Sequence, residues 1–404
     1  MSNMSHMPLQ VIYFGTPGSG KSYQVKMKLA GVDEDNIFRT TFHPDSDYAS
    51  FVGCYKPMTV PTRTALSKQA LLDKLLEYQQ SGKTYALHRF CAAYPEVGNL
   101  SRCEREELLA DAKVQESMAT EIYKALACAD ELKPYMDCTD ITYEFTPQVF
   151  TNAYVRAWQK NSDTTEHNRD VYLLIEEINR GNCAQIFGDL FQLLDRDSNG
   201  YSEYKIKADK DLAVYLQQVL GIGHEGIKGG NLCLPNNLHI IATMNTSDQS
   251  LFPMDSAFKR RWDWEYVPIR YSREISSGKF TISIDSAEYL WVDFLEKVNE
   301  RILEVTDSED KQMGNFFIKH SIEEREFKSK VMFYLWHEVC KDEFHTKNNF
   351  FRHQVDGKET EFSFNDLYSS EERSILSGFM QYLGVKVIMN ESSASVEVEM
   401  GDPK

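Results

Sequence analysis

Eight residues constrain this chain more than any others: Gly15-Thr16-Pro17-Gly18-Ser19-Gly20-Lys21-Ser22. They satisfy G-x-x-x-x-G-K-[ST] at every position and stand in the context that pattern requires. Val11-Ile12-Tyr13-Phe14 before them is a short β-prone apolar run that predicts a buried strand. Lys21 to Leu29 contains neither Pro nor Gly and sets Val25 and Leu29 four apart, which predicts a helix. Strand, glycine-rich turn and helix in that order form a cradle for phosphate. Glycines let backbone N–H groups turn inward without Cβ clashes, and the helix N-terminus adds its positive end. Lys21 is expected to reach the β and γ phosphates, and the Ser22 hydroxyl to ligate Mg²⁺. Gly82-Lys83-Thr84 repeats the G-K-T ending, but Glu77 stands where that loop's first glycine would be. A helical pattern also precedes it, so the second match is rejected.

Kinases, GTPases, ATPases and motors all carry such a loop, so other features must choose among them. The 404 residues suffice for two or three domains. With 42% hydrophobic and 26% charged residues the make-up is that of a globular protein. No apolar run is long enough to span a bilayer and no secretory leader is visible, so a cytoplasmic location is expected, with no membrane partner. The eight cysteines form no C-x-x-C pair, which argues against a zinc-finger or disulfide framework. A formal charge of −17 repels nucleic-acid phosphates on average. This argues against DNA binding by the whole surface, though not against a local basic groove.

Along the chain, Ile37 to Phe42 predicts a second strand, and about Thr62 to Asp140 reads as helical. "VYLLIEE" is a continuous apolar run ending in two acids, as a central parallel strand would be. "AQIFGDLFQLL" predicts a helix, residues 198–230 a hairpin or inserted element, "LHIIATMN" a buried strand and "WDWEYVPI" a last strand. Beyond about Pro268 the pattern is helical. Trp291, Leu295, Val298 and Ile302 share one face, as do Phe327, Val331, Leu335 and Val339. The tail after about Asn390 is acidic and Ser-rich. Strands alternating with helices predict an α/β fold, a parallel sheet with helices on both sides, followed by a mainly helical appendage.

Three further clusters carry chemistry. Glu176 and Glu177 end a predicted buried strand, where one carboxylate can hold the Mg²⁺ shell and the next can orient and activate a water. Asn245 ends another, where a neutral amide can hydrogen-bond a γ-phosphate or the lytic water. Lys259, Arg260 and Arg261 suit a finger that stabilises charge on a transferring phosphoryl group; a solvated basic helix end is the plainer reading. Asp356-Gly357-Lys358 sets an acid near a lysine, which does not make a nuclease site.

In order, GTPGSGKS, LLIEEINRGN, ATMNTSDQS and DSAFKRRW resemble the motif series of the AAA+ superfamily. More narrowly, they look like the McrB-type motor subunits of modification-dependent restriction systems, within the dynein-related group. "TFHPDSDYASFVGCYKP", "YEFTPQVFTNAYVRAW" and "KQMGNFFI" are similar to further family stretches. The resemblance implies an AAA+ core over residues 1–269, interrupted by a helical insertion at about 60–140, and a helical lid and C-terminal region over 270–404. It implies that Gly15, Thr16, Pro17, Gly18, Ser19, Gly20, Lys21 and Ser22 bind the phosphates of ATP or GTP, with Ser22 and Glu176 holding Mg²⁺. Glu177 becomes the catalytic acid, Asn245 the sensor, and Arg260 and Arg261 finger candidates acting in trans. Asn179 and Arg180 belong to the family's E-I-N-R run, near the subunit boundary. Partners implied are further copies of the chain in a ring, a hexamer by family expectation, and a McrC-like nuclease. The phosphate loop begins at residue 15, so DNA recognition and cleavage are expected in partners.

Three positions depart from the family pattern. Glu176 stands where many AAA+ proteins have Asp, Gln249 replaces an Arg, and Lys259 stands where an Arg is often found. Two other readings share the residues: a MoxR-like protein-remodelling ATPase, and a nucleotide-dependent assembly scaffold. Intact Lys21 and Glu177 argue against the scaffold.

Overall fold

A computed structural model describes residues 9–61, 139–162, 169–247, 252–341, 350–369 and 375–388, with a few helical residues between 69 and 110. Residues 55–146 separate as one compact unit, and 1–54 with 147–404 form the other. Within the first, strands β3 (Gly53–Pro61) and β4 (Thr139–Pro147) pair as a two-stranded ribbon. Leu76 is helical there. Leu66, Leu72 and Leu75, which the helical spacing predicts to share one face with Leu76, lie outside the described residues, as do the rejected Gly82-Lys83-Thr84, Gln249 and the tail after Asn390.

The second unit is organised by a five-stranded sheet in the order β2-β5-β8-β1-β9. Its strands are β1 (Gln10–Gly15), β2 (Ile37–Thr41), β5 (Val171–Glu176), β8 (Leu238–Asn245) and β9 (Asp263–Tyr266). Every neighbouring pair is parallel. Parallel strands covered on both faces must be apolar almost throughout, and Val171 to Ile175 and Leu238 to Ala242 are buried without a break. Helix α1 (Lys21–Lys28) packs Val25, with Leu29 just beyond it, against Val11, Tyr13 and Ile241. On the other side of the chain's course, α2 (Tyr48–Phe51) is closed by a capping box at Asp47 and Ser50. Helix α3 (Val149–Ser162) donates from the Thr151 hydroxyl to the Val52 carbonyl at 2.6 Å.

"AQIFGDLFQLL" is two helices: α4 (Cys183–Phe187) and a 3₁₀ segment, Gly188–Leu194. The break falls at Gly188, whose φ of 50° a helix cannot continue through. The Gly-rich stretch that follows holds α5 (Lys210–Leu220) between β6 (Ile206–Lys207) and β7 (Asn231–Leu232).

The region after Pro268 is built on its own core around Trp291, Phe294, Phe327 and Phe379. Helix α7 (Trp291–Thr306), reached after the short α6 (Ser256–Lys259), buries Trp291, Leu295, Val298 and Ile302 as the spacing predicts. The next helix, α8 (324–339), is wound partly as π-helix over Phe327–Met332 and Leu335–Val339, with Cys340 N donating to Leu335 O. A stripe at strict four-residue spacing drifts round a normal helix. Wider turns bring Phe327, Val331, Leu335 and Val339 back onto one line, and all four are fully buried. Small strands absent from the sequence expectation accompany these helices: β10 (Thr281–Ile284), β11 (Ala287–Leu290) and β12 (Ile322–Glu323) form one sheet. Strands β13 (Arg352–Val355) and β14 (Lys358–Glu361) form a hairpin covered by α9 (Ile375–Leu383). Asp356 and Gly357 are its turn, with φ of 50° and 75°, as a two-residue primed hairpin turn demands.

Candidate nucleotide site

In an open parallel sheet the loops at the carboxyl ends of the strands form the binding crevice. β1 ends at Gly15, level with Asn245 at the end of β8. β5 ends at Glu176 on the far side of β8. The three motifs, distant in sequence, therefore meet at one edge of the sheet.

The phosphate loop is shaped by its glycines. Gly18 and Gly20 take φ of 76° and 98°, and Gly20 caps the start of α1 in a left-handed conformation. Lys21 is 7% exposed and folds back, its Nζ donating to the Gly15 and Thr16 carbonyls at 2.9 and 2.8 Å. The Thr16 and Ser19 hydroxyls are buried without a hydrogen-bond partner. Buried polar atoms are normally paired, so two orphaned hydroxyls in one glycine-rich turn fit a polar ligand such as a phosphate. α1 is itself tied down by Lys28, which bonds Glu265 on β9 at 2.9 Å and the Tyr13 hydroxyl on β1 at 2.5 Å.

Ser22 and Glu176 line the same small crevice, with Thr243, Arg39 and Val25. A hydroxyl and a carboxylate are hard oxygen donors, the kind Mg²⁺ takes, with phosphate and water completing its shell. The residues present therefore fit that ion. Glu177 follows in a left-handed conformation, φ 54° and ψ 48°. That turn carries its carboxylate to Asn245, whose Nδ2 donates to both oxygens at 2.8 and 3.0 Å. Asn179 is 3% exposed, and its own Nδ2 donates to the Asn245 backbone carbonyl at 3.0 Å. It thus lies inside the subunit, whereas Arg180 is exposed. Thr243, not singled out by sequence, accepts from the Glu177 N–H at 3.4 Å and shares the Ser22 crevice. The period-two alternation of β8 puts it on the same face as Asn245, which is the signal that could have found it.

The two arginines part company. Arg261 turns into its own subunit: its Nη2 meets Asp195 at 2.6 Å, its Nη1 donates to Ala257 O, and its guanidinium lies 3.9 Å from the Phe191 ring centre. Its side chain is only 7% exposed. Arg260 and Lys259 are exposed.

Among known families, the AAA domain (dynein-related subfamily) matches residues 107–262, a span that holds the acidic pair, Asn245 and both arginines and begins downstream of the phosphate loop. The chain is 32% identical over 348 residues to the type II restriction enzyme BsuMI component YdiS of Bacillus subtilis (strain 168), covering 84% of this chain and 82% of that one. It is 26% identical over 151 residues to the type IV methyl-directed restriction enzyme EcoKMcrB subunit of Escherichia coli (strain K12), covering 37% of this chain and 29% of that one. With the motif order, the sheet order and a relative matched over most of its length, the chain belongs to the McrB-type AAA+ ATPases.

Proposed function

We propose that the chain binds and hydrolyses a nucleoside triphosphate, ATP or GTP, as the motor or switch subunit of a McrBC-like restriction or anti-phage complex. The observation that carries this reading is the pair of hydrogen bonds that the Asn245 amide donates to the Glu177 carboxylate, one strand away from the phosphate loop. A carboxylate has about four acceptor positions. Glu177 can therefore stay in the grip of Asn245 and still accept a proton from an attacking water. Asn245 orients the base, and Glu177 activates the water. Lys21 Nζ, held at the Gly15 and Thr16 carbonyls, has three donors with which to meet the β and γ phosphates, and charged acceptors bind a cation more strongly than neutral ones. Ser22 and Glu176 would hold Mg²⁺, which when bound neutralises charge on the phosphate oxygens. Glu176 stands where many AAA+ proteins have Asp and keeps the same charge.

Arg260, exposed beside α6, is proposed as the finger that enters a neighbouring subunit's site, and the active form as a ring, a hexamer by family expectation. Arg261 has a structural role within its own subunit. The relatives are named as a component and a subunit of restriction enzymes, which supports a multi-part assembly with a McrC-like nuclease partner. DNA is then contacted indirectly or through partners, and the complex works in the cytoplasm.

The mixing of two inactive variants tests the ring. Arg260→Ala keeps an intact pocket, and Lys21→Ala keeps the arginine. A finger is worth about 10³–10⁵-fold in rate, so each variant should be inactive alone and the mixture should regain hydrolysis. Wild-type specific activity that is independent of concentration, in a protein that stays monomeric throughout, would rule out the trans finger.

A further inference from the structure

The phosphate loop touches the lid through its backbone, and none of the roles above uses that contact. A turn at Met313–Phe317 lies against the outer side of the loop. Gly314 N donates to Pro17 O at 2.8 Å, and Phe316 N donates to Gly18 O at 2.7 Å. The approach leaves no room for a side chain on either strand of the contact. A Cβ on Gly314 would stand 2.1 Å from the Gly18 carbonyl carbon and the Ser19 nitrogen, and one on Gly18 would stand 2.6 Å from the Phe317 nitrogen.

The turn is held rigidly by the lid. Asn299, fully buried on α7, binds both the N–H and the C=O of Met313 at 2.8 Å. Asn315, 3% exposed, accepts from Arg270 N at 2.7 Å and returns a bond to Arg270 O, while the Trp291 indole donates to its carbonyl.

In a trans peptide the carbonyl and the following N–H point in opposite directions, and no described peptide bond is cis. A Pro17 oxygen turned out towards Gly314 therefore turns the Gly18 N–H inward. A Gly18 oxygen turned out towards Phe316 does the same for the Ser19 N–H. That second N–H does face the loop interior, where it reaches Thr16 O at 3.2 Å. Donation to each carbonyl also polarises the peptide and strengthens its N–H as a donor.

We infer that Gly314 and Asn315 are positioning residues for triphosphate binding. The lid turn sets the inward N–H groups of Gly18 and Ser19, so affinity for the triphosphate moiety depends on lid docking. This rests on the triphosphate reading above, and inorganic tripolyphosphate is the probe because it carries that moiety without a nucleoside. Gly314→Ala should weaken tripolyphosphate and nucleoside triphosphate alike, by about tenfold to a hundredfold for two displaced hydrogen bonds. Asn315→Ala should give a smaller loss. At saturating triphosphate kcat should stay within about threefold of wild type, because Glu177 and Asn245 are untouched, and the effect should appear in KM.

Wild-type affinity in Gly314→Ala would overturn the inference and leave the triphosphate reading standing. A wild-type protein that binds neither probe would overturn both. Should Gly314→Ala not fold, amide exchange in the wild-type chain decides: tripolyphosphate should slow exchange at Gly314 and Phe316 together with the phosphate loop. A loop that gains protection while those two amides do not change would contradict it.

Discussion

Replacing Arg261 with Ala should cost stability before it costs anything else. The guanidinium makes an ion pair with Asp195 at 2.6 Å, a bond to Ala257 O at 2.9 Å and a face contact with Phe191 at 3.9 Å. Removing one partner of a fully buried pair typically costs about 3–5 kcal/mol, because the other charge is left without compensation. Asp195 is 26% exposed, so water recovers part of that loss, which brings the electrostatic share to about 1–3 kcal/mol. The stacked contact adds about 1 kcal/mol. A total of about 2–4 kcal/mol lowers Tm by roughly 2–5 °C in a chain of 404 residues, whose unfolding entropy is correspondingly large. Arg260→Ala, at an exposed position, should leave Tm within about 1 °C of wild type and abolish turnover. Differential scanning calorimetry beside a phosphate-release assay reads both quantities. Adding Asp195→Asn to Arg261→Ala should recover some of the lost stability, because the stranded charge is removed. An Arg261→Ala protein with wild-type Tm and no turnover would refute the assignment and return the finger to Arg261.

Alkaline pH should destabilise the fold in a definite window. Burial pushes the Cys183 thiol from its ordinary 9.0 up to about 12, and burial with nearby aspartates pushes Tyr48 and Tyr172 from 10.0 up to about 12. Between those values the folded state holds protons that the unfolded state has released, so stability falls as pH rises. It should be level below about pH 9 and decline from there towards pH 12 in thermal denaturation, with the first part of the decline reduced in Cys183→Ala. A flat profile across that range would contradict the burial of these three groups. The same Cys183 thiol should resist alkylation at pH 8 until the protein is unfolded, since the thiolate is the reactive form.

The legible parts of the sequence were those whose signal is local. The phosphate loop, the apolar runs of β5 and β8 and the acids at the end of β5 are each defined by adjacent residues, and burial on both faces leaves a run such as Val171–Ile175 little choice. The four-residue stripe from Phe327 to Val339 likewise marked one face, though only the structure showed the wide turns that straighten it. What depended on distant partners was not legible. Arg260 and Arg261 are neighbours of the same type, and Asp195, 66 residues away, separates their fates. Gly314 lies in KQMGNFFI, a stretch marked only by its resemblance to a family, and its contact with the backbone of Pro17 is not legible there. Asp356-Gly357 was available as a hairpin turn by its residue types. Its flanking strands, "RHQV" and "KETE", lack the apolar alternation that would have named it. The Gly188 break inside "AQIFGDLFQLL" was similarly masked by apolar residues that suit one helix or two.

The central claim is that Glu177 activates water at a triphosphate held by the phosphate loop. Phosphate release and binding of a fluorescent triphosphate analogue, measured on the same Glu177→Gln preparation, test it most directly. The amide keeps nearly the shape of the carboxylate and loses its basicity, a contribution of about 10²–10⁴-fold in rate. The account predicts that wild type binds and turns over, that Lys21→Ala fails to bind, and that Glu177→Gln binds as wild type while phosphate release drops by about two to four orders of magnitude. Phosphate release by Glu177→Gln at the wild-type rate would contradict it.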